Sequence, residues 1–315
     1  MTRLLFSSSP HIHTSATVSR IMLYVILSLV PSLVCALYYF GWRVAAIVAV
    51  SVATAVFAEW FINRFMLRRA PSVGDLSAVL TGLLLALNLP SSLPLWTVAM
   101  GSFFAISVAK MAFGGLGCNI FNPALVGRVF LLISFPALMT VWPLPGGGFG
   151  ADGATGATIL GRMKLGEDID GILSYSDMLL GHMGGSLGEV GAIAILLGFV
   201  FLLAAGVISW HIPVAVVGSA ALFAWAIGEP VAVTVLSGGL LFGAVFMATD
   251  YVTSPMTRAG MIIYGILIGL VTVIIRTWGA YPEGVSFAIL LGNGLTPLIN
   301  RFVKPRRFAE RSVAR

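Results

Sequence analysis

Ten apolar stretches, most of them near the length that spans a bilayer's hydrocarbon core, leave this chain few ways to fold. They cover residues 21–40, 44–65, 76–89, 95–113, 123–142, 190–209, 213–227, 231–248, 259–277 and 284–299. In lipid the backbone has to bond its own N–H and C=O groups, so stretches of this kind are expected as helices. The third, seventh and tenth are short, which predicts tilted or broken segments there. Composition points the same way. Of 315 residues, 58% are hydrophobic and 10% charged, against roughly 25% charged in a soluble domain. The expected fold class is an all-α polytopic membrane protein whose solvent is the lipid bilayer.

The net charge of +6 has a topological cause, since Lys and Arg gather on cytoplasmic flanks. No nucleic-acid partner is expected. Cys35 and Cys118 stand apart without C-x-x-C spacing, so the chain encodes neither a disulfide framework nor an iron–sulfur site. His11 and His13 lack a third ligand, and a polar tail is the simpler reading of them than a metal site. Residues 1–20 are polar, with no charged segment running into an apolar one, and no cleaved signal peptide is expected.

With the N-terminus in the cytoplasm, 14 of the 18 basic residues fall at or near the inner face, Lys110, Arg128 and Arg258 among them. Arg43, Arg162, Lys164 and Arg276 fall outside. That asymmetry sets the orientation, and an even number of spans returns the C-terminus to the cytoplasm. Residues 144–189 then form an outer loop carrying Asp152, Glu167, Asp168, Asp170, Asp177 and Glu189. Trp42, Trp96, Trp142, Trp225 and Trp278 fall at outer ends and Trp60 and Trp210 toward the inner face, as an interfacial belt would. The organisation is a cytoplasmic tail 1–20, membrane segments 21–143 and 190–300, the outer loop 144–189 between them, and a basic cytoplasmic tail 301–315.

The two membrane segments read as repeats. Val79-Leu-Thr-Gly-Leu-Leu84 resembles Val235-Leu-Ser-Gly-Gly-Leu-Leu241, and Asn119-Ile-Phe-Asn-Pro123 ahead of Arg128 resembles Asn293-Gly-Leu-Thr-Pro297 ahead of Arg301. Matching the third span to the eighth and the fifth to the tenth gives five helices per half, and an odd number inverts one half against the other. Two stretches mix turn or hydrogen-bonding residues with a proline, Gly114–Pro123 and Thr249–Pro255. They read either as interruptions that free backbone groups for a ligand near the midplane or as cytoplasmic loops with ordinary turn chemistry.

One polar run stands out, Asp152-Gly-Ala-Thr155-Gly156-Ala157-Thr158. It has no apolar bulk to bury and no evident helix cap to supply, so its hydroxyls are expected to be open to an enzyme or a ligand. It is similar to the D-x-x-[ST]-G-A-[ST] pattern that bacterial flavin transferases modify, with FMN joined to the last residue through a phosphoester. Thr155 as acceptor would need Asp at 149 and Ser or Thr at 152, where the chain has Phe149 and Asp152. Thr158 is therefore the expected acceptor, with Asp152, Thr155, Gly156 and Ala157 completing the pattern.

The chain as a whole resembles the RnfD proteins of the Rnf electron-transport complex and, more distantly, the NqrB proteins of the sodium-translocating NADH:quinone reductase. The resemblance rests on Ser9-Pro-His11, Gly114-Gly-Leu-Gly-Cys-Asn-Ile-Phe-Asn-Pro-Ala124, Phe246-Met-Ala-Thr-Asp-Tyr-Val-Thr-Ser-Pro255 and Gly279-Ala-Tyr-Pro-Glu-Gly-Val285. Tyr251 departs from it, standing where Pro is expected after Thr-Asp. The resemblance implies a bacterial inner-membrane complex of several subunits that couples electron flow between ferredoxin and NAD to ion movement. This subunit would relay electrons through covalent FMN on the periplasmic side, matured by a flavin transferase, and would not be catalytic alone. It also implies a urea-transporter-like arrangement of the inverted repeat. Asp250, Asn119 and Asn122 offer donors and acceptors for a second, noncovalent flavin such as riboflavin.

Ionisable groups within spans cost about 2.5 to 3.5 kcal/mol on insertion scales, so each needs a reason. Glu59 reads as a partner for a neighbouring helix or subunit or as part of an ion pathway, Lys110 and Arg128 as inner-face cations, and Glu229 as a solvated carboxylate at an outer turn. Two rival functions remain on the sequence: a permease for a small neutral solute, and a structural anchor for other subunits.

Overall fold

A computed structural model describes residues 17–69, 72–145, 155–156, 158–165, 175–281 and 283–304. His11, His13, Asp152, Ala157, Glu167, Asp168, Asp170 and the tail beyond Lys304 lie outside the described residues. The chain is a helical membrane protein. Helix α1 is Val18–Phe40, and α2, Trp42–Phe61, runs on through a π-turn at Ile62–Met66. After a 3₁₀ turn at Val73–Asp75 come α3 (Ser77–Leu87), α4 (Leu95–Ser107), α5 (Pro123–Ser134) and α6 (Pro136–Met139). A two-residue ribbon, β1 (Trp142–Pro143) with β2 (Thr155–Gly156), opens the polar segment, which holds α7 (Ile159–Lys164) and α8 (Tyr175–Leu180). The second half consists of α9 (Ala192–Ala204), α10 (His211–Ile227), α11 (Val231–Leu236), α12 (Leu240–Phe242), a π-turn at Gly243–Met247, α13 (Arg258–Trp278) and α14 (Val285–Phe302).

Four helical stretches among the described residues are long and apolar enough to cross a membrane: Val18–Phe40, Trp42–Met66, Leu95–Phe113 and Arg258–Trp278. Shorter apolar helices lie between them, α3, α5, α9 and α10. Lipid is as apolar as leucine, so what joins such helices is close backbone approach and hydrogen bonding rather than removal from water. Small residues provide that approach. A side chain at Gly82 of α3 would place its Cβ 2.8 Å from the Cα of Val52 on α2, and Ser51 Oγ donates to the Gly82 carbonyl at 2.7 Å. At Gly269 of α13 a Cβ would meet the Val216 carbonyl oxygen of α10 at 2.6 Å. Helix α2 packs on α3 and α4, α4 on α5, α10 on α13, α13 on α14, and α1 on α9.

Helix α3 is apolar and buried on nearly every side, from Ser77 through Leu87. The corresponding stretch of the second half is broken instead. α11 stops at Leu236, Gly238 and Gly239 take positive φ values of 71° and 66°, and α12 then starts. Only glycine adopts such angles without strain.

Buried charges contradict two expectations. Lys110 is 2% exposed and Glu59 fully buried, and Lys110 Nζ donates to Glu59 Oε2 at 2.6 Å and to Ser77 Oγ at 2.6 Å. The hydroxyl of Ser72 donates to the other Glu59 oxygen. Lys110 is thus a buried ion-pair partner, not a cation left on the inner flank, and Glu59 is paired within the bundle. Arg128 is likewise buried, at 6%. Among the tryptophans, Trp142 is 6% exposed whereas Trp42, Trp96, Trp225 and Trp278 lie between 55% and 78%. Trp142 therefore does not belong to the interfacial belt, because its ribbon folds it inward.

Removing one member of a buried ion pair strands the other charge, at a cost of about 3–5 kcal/mol. Lys110→Met should lower the thermal unfolding temperature in detergent by a correspondingly large step, and adding Glu59→Gln should recover most of it. An unchanged unfolding temperature in the single variant would show that the pair is not buried.

Candidate functional site

Two sites lie at opposite ends of the bundle. The first is built where the polar segment folds onto the helices. Leu187 N–H donates to the Leu89 carbonyl at 3.2 Å and Gly188 N–H to the Leu87 carbonyl at 2.6 Å, which ties residues 186–189 to the end of α3. Lys164 bonds the carbonyls of Gly279 and Tyr281, tying α7 to the α13–α14 loop. Burial nudges the Lys164 ammonium below its usual range.

Within this end Trp142 faces Gly156 and Pro143 faces Thr155 in the antiparallel ribbon. Thr158 follows. Its Oγ1 accepts the Gly161 N–H at 3.1 Å, making it the N-cap of α7, and the residue is 8% exposed. This overturns the expectation that the small-residue run supplies no cap and leaves its hydroxyls open. Ile159 of α7 packs into a small apolar cluster with Met178, Met183 and Val233, and docking of that helix turns the Thr158 hydroxyl inward. Asp152 and Ala157 lie outside the described residues, and Thr155 and Gly156 are seen in the ribbon.

Beneath Thr158 lies a small cavity of about 10 Å³ lined by Thr158, Leu160, Met183, Glu189, Gly238 and Glu283, among others. Glu189 is 5% exposed, and its Oε2 accepts from Ser186 N–H at 3.2 Å and Ser186 Oγ at 3.1 Å. Glu283 pairs with Arg128 through Oε2. The other amino group of Arg128 donates to Asn88 Oδ1 at 3.0 Å. Arg276 donates to the carbonyls of Thr234 at 2.6 Å, Ser237 at 3.0 Å and Gly238 at 3.0 Å, satisfying the end of α11 that the glycine break leaves open. Glu283 Oε1 and Arg276 Nε are buried without a hydrogen-bond partner among the described residues. Burial, and after it the Glu283 charge, pushes the Glu189 carboxyl up to about 7, against the pull of Ser186 and Arg128.

Sequence reasoning missed this cluster. Glu189 read as an ordinary acid of a translocated loop, Arg276 as an outer cation, and Arg128 as an inner one. Glu283 sits in the Gly279–Val285 string that carried the resemblance, which was the available signal. Glu229 is half-buried at the turn between α10 and α11.

The second site is a cavity at the other end, open to solvent. Asn119, Asn122 and Asp250 all line it, with Lys110, Thr81 and Tyr251. The structure therefore brings the three residues named from the sequence to one cavity. Asn122 caps α5 by accepting from Ala124 N–H at 3.0 Å and donates to the Met247 carbonyl at 3.2 Å. Asn119 donates to the Phe121 carbonyl at 3.1 Å. Asp250 accepts from Thr253 Oγ1 at 3.2 Å and Val252 N–H at 3.5 Å. Burial raises its carboxyl above the usual range against those two bonds. Tyr251, the departure from the family string, donates its hydroxyl to the Val207 carbonyl, and burial raises its phenol. With the Asn293 amide oriented to satisfy both of its polar atoms, it accepts from Asn122 N–H at 3.1 Å and donates to Tyr264 Oη at 2.6 Å. The two repeated Asn strings thus meet at the start of α5.

Residues 5–309 match the model of the NQR2, RnfD, RnfE family. The chain is 46% identical to the D component of the Na(+)-translocating ferredoxin:NAD(+) oxidoreductase complex of Acetobacterium woodii, over 96% of this chain and 94% of that protein. It is 41% identical to the D component of the proton-translocating ferredoxin:NAD(+) oxidoreductase complex of Clostridium ljungdahlii, over 97% and 96%. It is 42% identical to the D component of the ion-translocating oxidoreductase complex of Stutzerimonas stutzeri, over 93% and 92%.

A carboxyl raised from 4.5 to about 7 by folding holds its proton in the folded chain where the unfolded chain has released it. Stability is then greatest below pH 4.5 as far as this group is concerned, and it falls as pH rises through about 7. The full loss is on the order of 3 kcal/mol. Thermal unfolding in detergent should therefore be easier at pH 8 than at pH 5, and Glu189→Gln should flatten that difference. A wild-type profile as flat as that of the variant would remove Glu189 as the titrating group.

Proposed function

The chain belongs to the NQR2, RnfD, RnfE family, and from that premise we propose that it is the membrane subunit of an ion-translocating ferredoxin:NAD oxidoreductase complex, relaying electrons through FMN held on Thr158. The observation that carries the reading is full-length similarity to the D components of three ion-translocating oxidoreductase complexes combined with the Asp152-x-x-Thr155-Gly-Ala-Thr158 pattern. The protein is not catalytic alone, since one relay cannot both oxidise a donor and reduce an acceptor. The remaining redox centres belong to partner subunits.

The residues present fit such a tether. Thr158 supplies the hydroxyl, and an ester oxygen keeps a lone pair for the Gly161 N–H that Oγ1 now accepts. The cavity beneath it holds about 10 Å³, roughly the room of one water molecule and far too little for a flavin ring. The isoalloxazine would therefore lie outside that cavity, and the bound flavin supplies the one-electron chemistry. Because Thr158 is capped and buried, the flavin transferase would act before α7 docks. At the other cavity Asn119, Asn122 and Asp250 would hold the polar edge of a noncovalent flavin such as riboflavin. Apolar faces such as Leu84 and Phe246 would contact its ring.

The topology goes with this reading: ten spans in an inverted five-plus-five repeat of the bacterial inner membrane, both termini cytoplasmic and the 144–189 loop periplasmic. The packing of α2 on α4 and of α10 on α13, and of α4 on α5 and α13 on α14, supports matching halves. Taking Lys110, Arg128 and Arg276 out of the charge comparison leaves 12 inner against 3 outer cations, and the orientation signal survives.

Made alongside a flavin transferase, the protein should give a flavin-fluorescent band in a denaturing gel, and Thr158→Ala should abolish it while the protein still inserts. A dark wild-type band would favour the permease. Normal electron transfer by the Thr158→Ala complex would make the protein an anchor.

A further inference from the structure

We propose that Glu189 and Glu283 form a proton-binding site that loads when an electron reaches the flavin on Thr158 and unloads when it leaves. The inference rests on the flavin reading above and adds to it a residue-level site for the coupled proton. Three observations carry it. Glu189, Glu283 and Thr158 line one small cavity, so both carboxylates lie beside the tether and largely out of water. Glu283 Oε1 is buried without a donor among the described residues, and a proton on Glu189 brings a donor to that cavity. The charges around the pair are also close to balance.

Among the described residues, the charged groups facing Glu189 come from three elements. Glu283 comes from the α13–α14 loop, Arg128 from α5 and Arg276 from α13. Two guanidinium groups meet two carboxylates, so the ionised cluster is neutral and the singly protonated one carries +1. Arg276 is fixed by three carbonyl oxygens and Arg128 by Glu283 and Asn88, which leaves neither free to swing away. Glu189 is held only by Ser186 among the described hydrogen bonds, and Ser186 bonds one oxygen alone. Addition of a negative charge on the outer side of this cluster favours its +1 state. Glu189 then takes one proton from the outer aqueous phase, forming a carboxylic O–H bond. The electron comes from a partner redox protein of the complex, and when it departs the proton returns to water. Proton uptake thus accompanies the electron's arrival, and proton release its departure.

The experiment uses the intact complex carrying its covalent flavin. Redox-difference infrared spectra should show a carboxylic acid C=O band gained on reduction near neutral pH, absent from Glu189→Gln. In parallel, the flavin midpoint potential should fall with pH across the region around 7 more steeply in wild type than in Glu189→Gln. The added slope should reach roughly half of 59 mV per pH unit, which is the value for one full proton per electron. The in-gel flavin band reports whether the variant has assembled and been modified. Where Glu189→Gln does not assemble, Glu189→Asp replaces it, and the expected result is a shifted carboxylic band. A wild-type complex with no carboxylic band between pH 5 and 9, or the same band in wild type and Glu189→Gln, overturns the proposal. Absence of the fluorescent band in wild type overturns the flavin reading itself, whereas a bright band without a carboxylic signal overturns only the proton site.

Discussion

Charge inside an apolar bundle has to be met by charge, and the helices of this protein are placed so that it is. Transfer of an ion out of water costs several kcal/mol even after relaxation, so Lys110, Glu59, Arg128, Glu283 and Arg276 are tolerated only because their partners are supplied from other segments. Lys110 follows α4 and reaches Glu59 on α2. Arg128 on α5 reaches the α13–α14 loop. Arg276 near the end of α13 reaches three carbonyls at the break after α11. Each contact fixes the relative height and rotation of two helices, which lipid-facing leucines cannot do, since their apolar surface is indifferent to sliding. The two ends of the bundle are thus registered by polar contacts, and the apolar middle fills in between them.

The same small residues serve two purposes in the two halves. Gly82 lies inside the continuous helix α3 and admits the backbone of α2 at Val52. Its counterpart in the repeated string, Gly238, takes a positive φ of 71° and ends a helix. A Cβ at Gly238 would fall 2.5 Å from an Arg276 nitrogen, so the break and the buried guanidinium depend on one another. The freed carbonyls need a cation, and the cation needs the space that only glycine leaves.

This sets what could be read from the sequence. The apolar stretches located the helices, because hydropathy is local and lipid imposes it directly. Asn119, Asn122 and Asp250 were legible as a group, since they stand in the two proline-containing strings Gly114–Pro123 and Thr249–Pro255 that border apolar stretches, and all three do line one cavity. The buried charges were not legible. A cation at a helix end looks the same in sequence whether it faces headgroups, as the positive-inside rule supposes, or turns inward to a carboxylate 155 residues away, as Arg128 does to Glu283. Thr158 was identified by its register within the flavin-transferase pattern, but its role as a helix cap depends on α7 docking against Met178, Met183 and Val233. That is tertiary packing, which the run of Gly, Ala and Thr does not encode.

The position of Glu189 explains why a single carboxylate is suited to sense an electron. Two unit charges about 10 Å apart at an effective dielectric of about 20 interact by about 1.7 kcal/mol, a little over one pKa unit. A carboxylate at its ordinary value would stay ionised through such a change at neutral pH, and a group held far above neutrality would stay protonated. Only a group already poised near 7, as burial and Glu283 make Glu189, converts a modest change in potential into a change of protonation. Burial and the Glu283 charge raise it, and Arg128 with Ser186 holds it from rising further. Removing Arg128 or Arg276 would push the site toward permanent protonation, and removing Glu283 toward permanent ionisation. The responsive group is thus a property of the whole cluster, assembled by α5, α13 and two loops, rather than of Glu189 alone.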